Sequence, residues 1–245
     1  MKQIVINDLK SPPLSFRMVM SGVCLTLALS GCISVSNSPT PRFYMLQAVH
    51  ENQASPVRGC DFNESKFAFN GASKKINIVS DALIGVGPVK IPEYQNRPQM
   101  VTQNKKNMLT FAQFDRWGES LDLGVARLIG EELTGMLPGM KCIVYPWNSA
   151  LPVKYQVVVE IVQMESELDK DLFIAAQWLV IDAKNTKTMV IKRSEFRQPI
   201  IPQDYSGLVK TISEACASLS GEIAEALATL ENRPKTKERA PVSKK

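Results

Sequence analysis

Apolar positions recur at helical spacing in two long stretches of the chain. In the first stretch, apolar side chains stand three or four residues apart from Leu121 to Leu137, and Pro138-Gly139 ends the run. In the second, one apolar stripe continues from about Asp204 to Leu230, where Asp204 is the expected N-cap. Each stretch predicts an amphipathic helix.

Much of the rest has the two-residue alternation of β-strands. Apolar and polar residues alternate in Lys154–Glu165 and in Met189–Gln198, and the segment between them, Leu172–Asp182, is apolar on both faces. Polar turns at 167–171 and 184–186 separate these three segments. The pattern predicts an antiparallel meander with the doubly apolar strand in the centre. Shorter strands are expected at Arg42–Gln47, Ile76–Pro92, Gln99–Gln103, Met108–Gln113 and Lys141–Trp147.

Two of these shorter strands, Gln99–Gln103 and Met108–Gln113, should form a hairpin. The glycines and prolines of Ile76–Pro92 predict an edge strand or a bend there. Together the elements predict an α+β layered fold, in which a mostly antiparallel or mixed sheet carries both helices on one face.

The amino terminus has the pattern of a lipoprotein signal peptide. Three basic residues precede the apolar run Met18–Leu29, which is too short to span a membrane. Leu29-Ser30-Gly31-Cys32 then has the form of a lipobox, so residues 1–31 should be removed and Cys32 should carry a covalent lipid. The alternative is an ordinary secretory signal that is cleaved elsewhere. Because Ile33 stands where Asp would signal inner-membrane retention, we expect the periplasmic face of the outer membrane.

Charge is unevenly distributed along the chain. The net charge of +5 comes from the leader and from the tail 231–245, since residues 32–230 hold 20 basic and 21 acidic residues. A nucleic-acid-binding domain would concentrate basic residues on the domain itself, so no nucleic acid is expected as a partner. We predict a tether at 32–41, one globular domain at 42–230 with a surface loop at 51–75, and a disordered tail. Docking of that tail on anionic lipid headgroups stays an alternative.

Residues typical of catalysis are scarce. His50 is the single histidine and has no identifiable orienting partner, no Cys-x-x-Cys spacing occurs, and no helix opens after Gly85-Val86-Gly87. Glu131-Glu132 should lie on a solvated helix face. We therefore expect no enzyme, no metal and no cofactor besides the lipid on Cys32, with a carboxylate-based hydrolase as an alternative.

Three cysteines remain in the predicted globular domain. Cys142 and Cys216 are expected to be small buried apolar residues because each lies in an apolar segment. A disulfide between Cys60 and Cys142 stays open.

Two polar and aromatic clusters stand out as candidate sites. The loop 92–99 holds Glu93, Tyr94 and Arg97, and Asp115-Arg116-Trp117 precedes the first helix. We expect Asp115 or Arg116 to pair with Arg97 or Glu93, and Trp117 to cover the core. The two alternatives are a pinned loop–helix junction and a partner-binding surface. Pro146-Trp147 is expected to end its strand as an aromatic plug.

An ordered set of short motifs resembles the ABC-type transport auxiliary lipoproteins, the family of paraquat-inducible protein C. The matching residues are Phe43-Tyr44-x-Leu46, Gly87-Pro88-Val89-x-x-Pro92-x-Tyr94-x-x-Arg97-Pro98, Phe114-Asp115-Arg116-Trp117, Tyr145-Pro146-Trp147, Trp178 and Glu222-Ile223-Ala224. The family pattern tends to have Leu-Asp where Gln95-Asn96 stand here.

The resemblance implies a non-enzymatic envelope lipoprotein with a compact two-helix α/β domain. The family is associated with MCE-protein systems that move lipids between the inner and outer membranes. The expected partners are the outer membrane, an MCE-domain protein of the inner-membrane system and, as an open alternative, further copies of the chain. A periplasmic lipid-binding lipoprotein remains the rival function.

Overall fold

The computed structural model describes residues 39–49, 76, 80–105 and 107–232. Within that part, eight strands and two helices follow one another along the chain. They are β1 (Arg42–Tyr44), β2 (Leu83–Lys90), β3 (Gln99–Lys105), β4 (Met108–Trp117), α1 (Leu121–Met136), β5 (Lys141–Val144), β6 (Val153–Ser166), β7 (Asp171–Asp182), β8 (Lys187–Pro199) and α2 (Tyr205–Glu231).

The strands form two sheets. The smaller sheet has the order β1-β4-β3, with β1 parallel and β3 antiparallel to β4. The larger sheet has the order β5-β2-β6-β7-β8, where β2 is parallel to both neighbours and β6, β7 and β8 form an antiparallel meander. The predictions of an α+β fold, of the meander and of the β3–β4 hairpin are confirmed.

Both helices pack on the same face of the larger sheet. The α1 helix contacts β2 and β5, the α2 helix contacts β7 and β8, and the two helices contact each other. Their predicted apolar stripes are buried in one core, and each fully buried leucine or isoleucine stabilises the fold by about 1.5–3 kcal/mol. Asp204 caps α2 as expected, since the Gly207 N–H donates to Asp204 Oδ1 at 2.8 Å. No helix in the described ranges has a stretch long and apolar enough to cross a membrane.

Of the two alternatives predicted for Ile76–Pro92, an edge strand or a bend, the structure shows the bend and not the edge position. The β2 strand lies between β5 and β6, and Gly85 makes room for the ring of Trp147. A Cβ atom added at Gly85 would lie 2.5 Å from Cη2 of Trp147. The predicted bend does occur, as an irregularity between Val86 and Val89 that contains Pro88 and lacks regular pairing. Pro146-Trp147 therefore does plug the sheet, although β5 ends earlier than predicted, at Val144.

The predicted strand from Arg42 to Gln47 is also shorter than expected. After β1 ends at Tyr44, the chain runs on beside the helices, with Leu46 and Ala48 buried. The Arg127 Nη2 atom donates to the Leu46 carbonyl at 2.9 Å, and the Val49 N–H donates to Glu132 Oε1 at 2.6 Å. This segment therefore closes one side of the helix pair.

That closing segment corrects the prediction for Glu131-Glu132. Glu131 is only partly exposed and pairs with Arg127 at 3.0 Å, and Glu132 is fully buried because residues 45–49 cover its face of α1. The burial prediction for cysteine holds for Cys216, whose thiol pKa is raised to about 12 by desolvation. Cys142 is only half-buried, since it lies on the edge strand β5. Both thiols are free.

Several predicted features lie outside the described residues. These are the signal peptide with Cys32, most of the tether, His50, the loop 51–75 with Cys60, and the tail beyond Asn232.

The end of α2 is tied to β6 by an ion pair with a pH signature. Glu231 accepts hydrogen bonds from Lys154 and Tyr155. Burial acts to raise the pKa of Glu231, but these hydrogen bonds outweigh it and the pKa lies below its ordinary 4.5. Because the folded-state pKa is depressed, the contribution of this carboxylate to stability is present above the unfolded-state pKa and is lost as the pH falls through the folded-state value.

We expect Glu231→Gln to destabilise the protein at pH 7 and to change its stability little near pH 3. Chemical denaturation at a series of pH values checks this expectation. If the difference in the free energy of unfolding between wild type and variant stays constant across that pH range, the assignment of this pH dependence to Glu231 is contradicted.

Candidate functional site

The loop between β2 and β3 is folded against the start of α1. The Pro92 carbonyl accepts hydrogen bonds from the N–H groups of Gln95 at 2.8 Å and Asn96 at 3.1 Å. The Trp117 N–H donates to the Pro98 carbonyl at 2.8 Å, which joins the end of the loop to the end of β4. The two candidate clusters are therefore neighbours, held together by backbone hydrogen bonds.

Two loop residues that the sequence did not mark as functional fix this arrangement. The buried Gln95 amide donates to the Met164 carbonyl on β6 at 3.0 Å. Asn96 Oδ1 accepts from Ser120 Oγ at 3.3 Å and from the Asp122 N–H at 3.4 Å, at the first turn of α1. Gln95 and Asn96 are the positions where the sequence departs from the family pattern. That departure is the one feature of the sequence that could have pointed to their role in holding the loop.

Asp115 pairs with the first strand and not with the loop. Its buried carboxylate accepts hydrogen bonds from Arg42 Nε at 2.8 Å, from Arg42 Nη2 at 2.9 Å and from the Tyr44 hydroxyl at 2.9 Å. For Asp115, the predicted pairing with the loop is wrong because β1 lies directly beside β4, with Arg42 opposite Asp115. Burial and the hydrogen bond to Asp115 raise the pKa of Tyr44. Asp115 therefore attaches the start of the domain to its smaller sheet.

Two of the candidate side chains in the loop face outward. Glu93 and Arg97 are exposed, and the Arg97 guanidinium lies over the Phe111 ring at 4.8 Å from its centroid. Tyr94 is half-buried, and its hydroxyl lies 3.5 Å from the Met164 carbonyl. An exposed arginine on an aromatic ring contributes about 0.5–1 kcal/mol. The loop thus presents Glu93 and Arg97 to solvent from a fixed backbone.

Arg116 and Trp117 are the last two residues of β4, shortly before the start of α1. The Arg116 side chain is half-buried, and its Nε atom has no hydrogen-bond partner among the described residues. The Trp117 ring is buried in the core, which confirms the prediction that it covers the core. Three residues separate Trp117 from α1, so its buried ring fixes the point at which the chain passes from β4 to α1.

We expect Asp115→Asn to destabilise the domain by about 1–3 kcal/mol, because it removes a charge-assisted acceptor that serves both Arg42 and Tyr44. Asp171→Asn is the matched control, since it removes an exposed pair with Arg197 and should cost about 1 kcal/mol at most. Urea denaturation of both variants measures the difference. Equal stability losses would contradict the structural role of Asp115.

A groove opens beside this cluster, between residues 43–49 and α2. Its volume is about 520 Å³, and it is lined by Phe43, Tyr44, Met45, Gln47, Val49, Ser206, Val209, Lys210, Ser213 and Glu214. Burial raises the pKa of Glu214. Within the described part of the chain, no group of three or more His, Cys, Asp or Glu residues is placed to hold a metal ion.

Comparison with known families gives one match that covers most of the fold. Residues 70–224 match the family model of the ABC-type transport auxiliary lipoprotein component. The matched residues contain all elements from β2 to β8 and most of α2. A comparison with curated protein sequences gives no match.

Two solved structures share the fold. A crystal structure of an uncharacterised protein has a TM-score of 0.57 and 17% identity, over 77% of this chain and 99% of that chain. A Xanthomonas campestris protein of family DUF330 has a TM-score of 0.50 and 10% identity, over 66% of this chain and 91% of that chain. At these identities the likeness concerns the fold alone.

Proposed function

Because the chain belongs to the ABC-type transport auxiliary lipoprotein family, we propose that it is a non-catalytic docking component of an MCE-type intermembrane lipid transport system. In this proposal Cys32 carries the lipid, and the domain hangs from the periplasmic face of the outer membrane. The observation that carries the proposal is the family match over 70–224, preceded in the same chain by the lipobox Leu29-Ser30-Gly31-Cys32.

The tether supports a membrane-proximal role. The nine residues 33–41 reach at most about 30 Å when fully extended, and β1 starts directly after them. Arg42 then joins the domain through Asp115. A pull on the tether would therefore act on a paired strand and a buried carboxylate, as suits a domain that must hold its position at a membrane.

The polar side chains of the site are used in structural hydrogen bonds, which supports a binding role. The carboxylate of Asp115 is engaged by Arg42 and Tyr44, and Gln95 and Asn96 hold the loop. These contacts pin the backbone and leave Arg97 and Glu93 outward. Rigid loops with exposed arginine suit recognition of a partner, because binding then requires little ordering of the surface.

Loss of the protein should weaken the outer-membrane barrier or disturb lipid distribution, without accumulation of an uncleaved substrate. Dye-uptake and membrane-lipid measurements on a deletion strain check this expectation. Complementation by a Glu131→Gln variant is the control for carboxylate chemistry, since Glu131 is a partly exposed carboxylate of α1. Turnover of an ester, glycan or peptide by the purified protein, abolished in that variant, would overturn the non-catalytic proposal.

A further inference from the structure

Apolar side chains are exposed where the chain enters the domain. Phe43 is 64% exposed and Met45 is 53% exposed. They occupy alternate positions of an extended segment and therefore share one side of it. Both line the groove against α2, together with Val209 and Lys210. We call Arg42, Phe43, Met45, Val209 and Lys210 the tether-side patch.

The two cations of the tether-side patch, Arg42 and Lys210, are more exposed than the carboxylates that pair with them. The Arg42 side chain is 65% exposed while its partner Asp115 is 7% exposed. The Lys210 side chain is 69% exposed while Glu214, 3.9 Å away, is 23% exposed. Asp204 is an exposed carboxylate near Arg42, and it accepts hydrogen bonds from the Gly207 N–H and the Ser206 hydroxyl. The patch itself presents Arg42 and Lys210 beside exposed apolar side chains.

The position of the patch in the chain suggests what that surface is. β1 begins at Arg42, and on the proposed function the lipid sits on Cys32. The patch is thus the first described surface beyond a tether of at most about 30 Å. A partner protein could lie on any face of the domain, whereas the bilayer that holds the lipid is always near this one.

We propose that the tether-side patch rests on the anionic surface of the bilayer that holds the lipid anchor. Phe43 and Met45 enter the boundary between headgroups and acyl chains, and Arg42 and Lys210 contact anionic headgroups. The inference rests on the proposed function only for the anchor at Cys32. It adds an orientation, in which the start of β1 and the first turns of α2 face the membrane.

Quenching of tryptophan fluorescence by brominated lipids tests this orientation. The full-length lipidated protein is reconstituted in vesicles of brominated phosphatidylcholine with phosphatidylglycerol, as Phe43→Trp, as Met45→Trp and as the parent with its three native tryptophans. The matched control is Ile191→Trp. Ile191 is 72% exposed, but it pairs with Leu179 on the sheet face turned away from the helices, opposite to the face of Trp178. Circular dichroism shows that each variant is folded.

We expect the emission added by Phe43→Trp or Met45→Trp to fall by roughly half in brominated vesicles, and that added by Ile191→Trp to stay unchanged. Adding Lys210→Glu should reduce the quenching, and adding Lys187→Glu, on β8, should not. Equal quenching at positions 43 and 191 would overturn the proposal. A blue-shifted emission at position 43 without quenching would mean that protein, such as a second copy, covers the patch, and would overturn it too.

A second measurement distinguishes failure of the proposed function from failure of the proposed membrane orientation. Mass spectrometry of the same sample reports whether Cys32 is lipidated. An unmodified amino terminus would contradict the anchor and with it the patch, whereas a lipidated, vesicle-bound protein without quenching at position 43 would contradict the patch alone.

Discussion

Trp117→Ala should lower the free energy of unfolding by about 3–5 kcal/mol, as expected when a large buried ring is removed from a close-packed core. The Trp117 ring is 7% exposed and belongs to the cluster that contains both helices and the larger sheet. It is also the last residue of β4, so its loss should loosen the attachment of the smaller sheet. Thermal and urea denaturation measure the effect.

Arg97→Ala is the variant to compare with Trp117→Ala, because it tests whether the loop binds a partner. Arg97 is exposed on the loop and stacks on Phe111, so its removal should cost about 1 kcal/mol of stability at most. If the loop binds a partner protein or a second copy, Arg97→Ala should weaken assembly by more than about 1 kcal/mol, while folded Trp117→Ala assembles normally. Unchanged assembly of Arg97→Ala would rule out the loop as an interface.

Cys32→Ala should abolish membrane anchoring altogether. The thiol of Cys32 is the atom that would take the lipid, and several acyl chains hold a protein on a bilayer far more firmly than one. Without the thiol, we expect the protein in the soluble periplasmic fraction or retained as an uncleaved precursor. Cell fractionation of the wild type and the variant measures the loss.

Cys142→Ala is the control for a general effect of removing a cysteine, because Cys142 is a free thiol of the folded domain. It should leave the protein in the membrane fraction. Mass spectrometry that finds an unmodified mature amino terminus in the wild type would contradict the lipid-anchor proposal directly.

The regular elements were predictable from local pattern. The apolar stripe from Leu208 to Leu230 repeats over several helical turns, and the alternation around β7 repeats over several residue pairs. Because each pattern is long, single positions that depart from it do not change the prediction. Both helices and the meander were therefore placed within a few residues of their observed bounds.

Contacts between distant segments were not predictable in the same way. Asp115 meets Arg42, 73 positions earlier in the chain, and no local pattern states that β1 lies beside β4. Gly85 contributes locally to the prediction of an edge strand or a bend, but its role is to leave space for the distant ring of Trp147. Glu132 looked like a solvated helix residue because its burial depends on residues 45–49, which cross α1 from elsewhere in the chain. In each case a tertiary contact overrides a correct local tendency.

The most direct test of the proposed function is crosslinking in living cells followed by affinity purification of the full-length protein. The account predicts that an MCE-domain protein is recovered with the wild type, that Arg97→Ala recovers less of it if the loop is the interface, and that Cys32→Ala recovers none because it is no longer held at the membrane. Recovery of no MCE-domain protein with the lipidated, correctly localised wild type would contradict the account.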